Sequence, residues 1–92
     1  MKVIRIEEEN HGFIGVANSY RNAVKWLIGN KWLADYTEIY DDETDSWIQV
    51  RDRFGEDWAD LMTDKWNIYD FNDYWDGSFY LTTEILIGTE EE

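Results

Sequence analysis

Residues 78–87 read SFYLTTEILI, in which four β-branched and two aromatic residues stand close together near the end of the chain. Such side chains favour the pleated, half-buried surface of a sheet, so the segment is predicted to be a strand. At the other end, MKVIRIE alternates from residue 1, and FIGVA begins at residue 13 after the turn residues Asn10, His11 and Gly12. The two runs predict an N-terminal β-hairpin that the last strand joins.

Between these strands the apolar residues recur at helical steps. Asn18 or Ser19 can cap a helix that stops at Gly29 and Asn30, and its apolar face comprises Tyr20, Ala23, Val24, Leu27 and Ile28. Residues 56–66 predict a second helix through the spacing of Trp58, Leu61, Met62 and Trp66. Residues 68–75 predict a short third helix, with Gly77 as its C′ residue and its buried side formed by Phe71, Tyr74 and Trp75.

Residues 46–54, SWIQVRDRF, fit two structures. As a strand they would close a hairpin across the acidic run DDETD at residues 41–45. As a helix they would begin at Asp45 or Ser46, bury Val50 and Phe54, and end at Gly55. We favour the helix, because cap, apolar face and terminator are all present.

Strands at both ends with helices between them predict an α+β fold. The N-terminal hairpin and the C-terminal strand form one sheet, and two to four helices pack on one of its faces. A chain of 92 residues is enough for one core, so residues 1–88 are predicted to form a single domain. Its core draws on six Trp, six Tyr and four Phe, and residues 89–92 form a frayed acidic tail.

The sequence lacks the residues that several classes of function require. Without cysteine there is neither a disulfide nor a thiolate metal site, and no apolar run approaches the roughly 20 residues of a membrane span. No signal peptide is recognisable, which predicts the cytoplasm. The only histidine, His11, lies in a predicted turn, and the scattered glycines form no phosphate loop, so we expect no enzyme and no cofactor.

The alternating acids Asp41, Glu43 and Asp45 are similar to the start of a calcium-binding loop. The pattern then fails, because Ser46 stands where that loop requires glycine and Asp52 stands where it requires glutamate. We therefore predict a solvated turn without a metal ion.

Charge is the most distinctive property of the chain. The net charge of −13 is uneven: residues 1–31 carry five bases and three acids, whereas residues 32–92 carry 18 acids and three bases. Such a field repels nucleic acid and anionic membranes, which require a basic footprint, and it attracts basic surfaces. We expect a basic protein partner with no direct contact to nucleic acid or membrane; the oligomeric state stays open.

The acids are also regularly spaced on the predicted helices. Steps of three or four residues rise about 4.5–6 Å, similar to the spacing of phosphates at about 3.4 Å per base pair. From residue 66 to the end there are seven acids and no base, where an ordinary exposed face mixes signs. The predicted partner-binding acids are Asp57, Asp60, Asp64, Asp70, Asp73 and Asp76, with Asp41, Asp42, Glu43 and Asp45 as a second cluster.

The stretch FGEDW at residues 54–58, followed by FNDYWDGSFYL at residues 71–81, resembles small acidic proteins of bacteriophages and mobile elements. The resemblance implies an inhibitor of host defence, of the kind of the anti-CRISPR proteins that imitate DNA, and a basic nucleic-acid-binding protein as its partner. It transfers no site residue to this chain. Two alternatives stay open: acidity that serves only solubility, and a sugar- or ligand-binding module that uses exposed Trp and Tyr.

Overall fold

A three-stranded antiparallel sheet organises the computed structural model, which describes residues 2–75 and 77–85. The elements run β1 (Lys2–Glu8), β2 (Gly12–Ala17), α1 (Tyr20–Gly29), β3 (Glu38–Asp41), β4 (Ser46–Gln49), α2 (Val50–Phe54), α3 (Trp58–Asp60), a π-helical turn (Leu61–Lys65), α4 (Ile68–Tyr74) and β5 (Phe79–Ile85). The sheet order is β2-β1-β5, while β3 and β4 form a separate hairpin. The predicted α+β class is confirmed, as is the N-terminal hairpin joined by the last strand.

The central strand β1 supplies the middle of the core. Ile6 pairs with Gly15 on one side and with Leu81 on the other, and it is fully buried. Gly15 leaves room for the ring of Trp26, since a Cβ atom at residue 15 would lie 2.8 Å from Trp26 Cζ2. This close approach seats α1 against β2.

Helix α1 begins and ends where the sequence predicts. The Ser19 hydroxyl accepts the backbone N–H of Asn22 at 3.1 Å, and the backbone N–H of Asn30 bonds the Trp26 carbonyl at 3.0 Å. Three of the five predicted apolar-face residues are buried, namely Ala23, Val24 and Leu27.

The helix expected over residues 46–54 is wrong for its first half. Residues 46–49 form β4, in which Ile48 pairs with Ile39 and Trp47 with Tyr40, and Asp45 closes the turn with φ 57°. The pairing of half-buried Ile48 with buried Ile39 outweighs the local cap signal. A helix begins only at Val50, with Gln49 as its N-cap. It ends at Gly55, as predicted, and this glycine has φ 82°.

Residues 58–65 contain the apolar pattern of an α-helix but not its regular geometry. The Tyr20 hydroxyl donates to the Met62 carbonyl at 2.6 Å, which is the group that Trp66 N–H would bond in an α-helix. That N–H instead bonds the Leu61 carbonyl at 3.2 Å, five residues back. The predicted α-helix over residues 56–66 is therefore a three-residue α3 followed by a π-helical turn.

Helix α4 is confirmed, with a reciprocal cap at its start. The Asn67 side chain accepts the N–H groups of Tyr69 and Asp70, and the Asp70 carboxylate accepts the N–H of Asn67 at 3.1 Å. Phe71 is buried, as is Trp75, which is the C-cap. Gly77 has φ 86° and lies two residues beyond Trp75, so it is not the predicted C′ residue.

The core uses ten of the sixteen large rings, four of them buried and six half-buried against it, namely Tyr20, Trp26, Trp32, Phe54, Trp66 and Tyr74. Trp58, Phe71, Trp75 and Phe79 are buried, but six other large rings are exposed: Phe13, Tyr36, Tyr40, Trp47, Tyr69 and Tyr80. No helix in the described part of the chain is long and apolar enough to cross a membrane. The predicted strand end at residues 86–87, the domain limit at residue 88 and the tail at residues 89–92 lie outside the described residues.

Candidate partner-binding surface

Acids from two parts of the chain that were predicted to bind a partner, residues 41–43 and residues 70–73, lie close together in space. The β3–β4 turn and α4 form an open cleft of about 540 Å³, which we call the acidic cleft. Its carboxylates come from Asp41, Asp42, Glu43, Asp70 and Asp73, its apolar wall comprises Ile39, Tyr40, Trp66 and Tyr74, and Arg53 supplies the one base. Five carboxylates face one guanidinium, so a strongly negative field is expected over the cleft.

Two of these carboxylates are held by local hydrogen bonds. Asp41 accepts the backbone N–H of Glu43 at 3.2 Å and the Thr44 hydroxyl at 3.0 Å, which shapes the turn. Asp70 is the reciprocal cap of α4. Their side chains are thereby oriented by contacts within the chain itself.

Arg53 reaches the cleft from α2. Its Nη1 lies 3.7 Å from Oε1 of Glu43, and both side chains are largely exposed, so the ion pair contributes little stability. Within the described residues no ion pair engages Asp42 or Asp73. The base-free run from residue 66 onward therefore has a base as its spatial neighbour, which the linear sequence does not reveal.

The other predicted acids lie elsewhere. Asp57, Asp60 and Asp64 line a second concavity of about 410 Å³ together with Phe54, Leu61 and Lys65, and Asp64 forms an ion pair with Arg21. Asp45 is exposed in the β3–β4 turn but does not line the acidic cleft. Asp76 lies outside the described residues. The predicted acids are thus spread over separate concavities, and the acidic cleft holds the largest number of them.

The acids of the cleft do not converge on a point. Among residues 2–75 and 77–85, no three histidine or carboxylate side chains are grouped closely enough to hold a metal ion. The arrangement instead spreads negative charge over an open surface.

The wall of the cleft is an aromatic cluster. Tyr74 lies with its ring centroid 5.1 Å from that of Phe54 and 5.2 Å from those of Trp66 and Trp75. Burial raises the pKa of the Tyr74 hydroxyl to about 12, with Arg53 opposing and Asp41 adding to the shift. This hydroxyl and Trp75 Nε1 are shielded from solvent and have no hydrogen-bond partner among the described residues.

An exposed aromatic pair lies beside the cleft, and the sequence reasoning missed it. Trp47 and Tyr40 face each other across the hairpin with centroids 5.6 Å apart, and they are 65% and 46% exposed. The alternation of a strand would have predicted this exposure. If residues 46–49 form a strand, Ile48 points towards the core and Trp47 points towards solvent.

His11 has a structural explanation. Its Nδ1 lies 2.6 Å from Oε1 of Glu8, and its ring meets that of Trp32 edge-on at 5.2 Å. The hydrogen bond from His11 lowers the pKa of the Glu8 carboxyl. These contacts hold the β1–β2 turn in place.

Comparison with known proteins gives no relative. No family model matches the chain, and neither a curated protein nor a solved structure matches it significantly.

Proposed function

We propose that the protein is a non-enzymatic inhibitor that imitates nucleic acid and occupies the binding surface of a basic nucleic-acid-binding protein. One observation carries the proposal: two separate segments of the chain bring five carboxylates to a single open cleft, to which a third segment, α2, adds one guanidinium. Lysine- and arginine-rich surfaces are attracted to such a field, which steers association and makes it sensitive to salt.

The local geometry supports imitation of a phosphate row. Asp70 and Asp73 lie about one turn apart on α4, a rise of about 4.5 Å along the helix axis, which is of the same order as the axial rise of about 3.4 Å per base pair of DNA. Asp41 and Asp70 are held by hydrogen bonds within the chain. A preordered surface loses less conformational entropy on binding than a flexible acidic tail.

The resemblance to small acidic proteins of bacteriophages and mobile elements gives the partner its class. In this proposal the protein acts in the cytoplasm of a bacterial host, and the partner is a host defence protein such as a CRISPR effector nuclease. Neither a metal ion nor a cofactor takes part.

One capture experiment tests this function. Immobilised protein is incubated with a bacterial lysate at low salt, then washed with high salt or with a short double-stranded DNA. The proposal expects a nucleic-acid-binding protein that both washes release. Failure to capture one at low salt, or a captured protein that DNA does not displace, would contradict it and favour acidity that serves solubility alone.

The exposed pair Tyr40 and Trp47 favours one second candidate, a sugar- or ligand-binding module. Exposed rings beside carboxylates suit the apolar faces and hydroxyls of sugars. A glycan array distinguishes the two functions, because nucleic-acid imitation predicts no sugar binding, whereas a sugar-binding module predicts retention that is insensitive to salt.

A further inference from the structure

The β3–β4 hairpin exposes two large rings in the most acidic part of the molecule. Its residues 38–49 contain five acids and no base. Tyr40 lines the acidic cleft, and together with Trp47 it also lines an adjoining pocket of about 210 Å³ beside Glu38 and Tyr74. The nearby bases are engaged, since Arg53 lies by Glu43 and Arg51 lies 3.8 Å from Asp35.

Cross-strand pairing explains the contact between the rings but not their exposure. Aromatic pairs stabilise hairpins, and this hairpin also buries Ile39 against the core on its other face, where it pairs with Ile48. The hairpin thus has an apolar anchor that does not depend on Trp47. A tryptophan left 65% exposed is a frequent feature of binding surfaces.

An aromatic pair with carboxylates beside it suits a guanidinium group. The ring quadrupole attracts cations, and the planar, weakly hydrated guanidinium stacks on rings better than an ammonium does. The chain itself contains such a contact, because the Arg5 guanidinium carbon lies 4.5 Å from the centroid of the Phe13 ring.

We propose that the Tyr40–Trp47 pair is an arginine anchor: an arginine of the basic partner lays its guanidinium on Trp47 while the acids of residues 41–45 neutralise its charge. The inference rests on the proposed function, which supplies the basic partner. It goes further by distinguishing arginine from lysine and by assigning the selectivity to an aromatic side chain rather than to charge.

Peptides of nine arginines and of nine lysines test the anchor by calorimetry at one low salt concentration. We expect the arginine peptide to bind the wild type at least about fivefold more tightly. Trp47→Leu, which keeps an apolar contact with Tyr40, should remove this preference and leave lysine-peptide binding unchanged. Trp47→Phe keeps an aromatic ring and should retain the preference for the arginine peptide. Phe13→Ala removes an exposed ring far from the acidic hairpin in sequence and should retain this preference as well.

Equal binding of the two peptides, or a preference that survives in Trp47→Leu, would overturn the anchor. Both results leave the proposed function standing, since that function requires only charge. No binding of either peptide would also overturn the anchor, whereas the capture experiment tests the proposed function separately. Thermal unfolding of each variant identifies any change in fold. If Trp47→Leu alters the fold, the test is whether Trp47→Phe retains the preference for the arginine peptide, and loss of that preference would overturn the anchor.

Discussion

Asn72 on α4 bonds both backbone groups of Leu81 on β5. Its Nδ2 donates to the Leu81 carbonyl at 2.9 Å, and its Oδ1 accepts the Leu81 N–H at 2.8 Å. The side chain thus occupies the position of a further strand and covers the sheet edge at this point. The same contact fixes α4, and with it Asp70 and Asp73, relative to the sheet.

Replacing this amide should destabilise the fold. We expect Asn72→Ala to lower the free energy of unfolding by about 1–3 kcal/mol, because two partly buried backbone groups lose their partner. Urea unfolding measures the change. Asn22→Ala, which removes only an exposed side-chain bond to Asn18, should stay within about 0.5 kcal/mol of the wild type. Equal effects of the two changes would contradict this role of Asn72.

Removing the hydroxyl of Tyr74 and that of Tyr20 should change the free energy of unfolding in opposite directions. Tyr74→Phe should raise the free energy of unfolding by about 1 kcal/mol, because its shielded hydroxyl has no partner among residues 2–75 and 77–85. Tyr20→Phe should lower it by about 1 kcal/mol, because its hydroxyl bonds the Met62 carbonyl. Chemical unfolding of both variants provides the comparison, and a loss of stability in Tyr74→Phe would contradict the account of Tyr74.

Alkaline pH should unfold the wild type partly through Tyr74. Burial raises its pKa to about 12 in the folded protein, whereas an unfolded chain releases this proton near pH 10. Between these values only the unfolded state ionises, so the free energy of unfolding falls as pH rises. Tyr74→Phe should flatten this dependence in urea titrations, and an unchanged slope would show that the hydroxyl ionises freely in the fold.

Gly15→Ala should be tolerated only when a smaller side chain replaces Trp26. The Cβ atom of Gly15→Ala would lie 2.8 Å from Cζ2 of Trp26, and overpacking of this kind costs about 1–3 kcal/mol. In a Trp26→Leu background the same substitution should cost less than about 0.5 kcal/mol. A double-mutant cycle measures the coupling, and additive effects would contradict the steric account.

The segments predicted correctly carry their signals locally. The β1–β2 hairpin, α1 and α4 each combine a periodic apolar face with turn or cap residues, and Asn67 forms the cap of α4 through its own side chain. Such short-range patterns can be read without knowledge of the rest of the chain.

The errors arise from contacts that the pattern of one short segment does not contain. Residues 46–49 become a strand because Ile48 meets Ile39, and the π-helical turn forms where Tyr20, distant in sequence, occupies the Met62 carbonyl. The acidic cleft likewise depends on the hairpin docking beside α4, which also brings Arg53 among the acids. The sequence therefore predicts which residues are acidic and exposed, but not which of them share a surface.

The central claim is that the carboxylates of the acidic cleft bind a basic partner in place of nucleic acid. The most direct measurement is the affinity of the captured partner for the wild type, for Asp42→Asn/Asp73→Asn and for the control Glu56→Gln/Glu84→Gln. Both variants remove two charges, but only the first removes them from the cleft. We predict at least tenfold weaker binding for the cleft variant, about 1.4 kcal/mol, and less than threefold for the control, with short double-stranded DNA competing in all cases. Equal weakening in the two variants, or no competition by DNA, would contradict the claim.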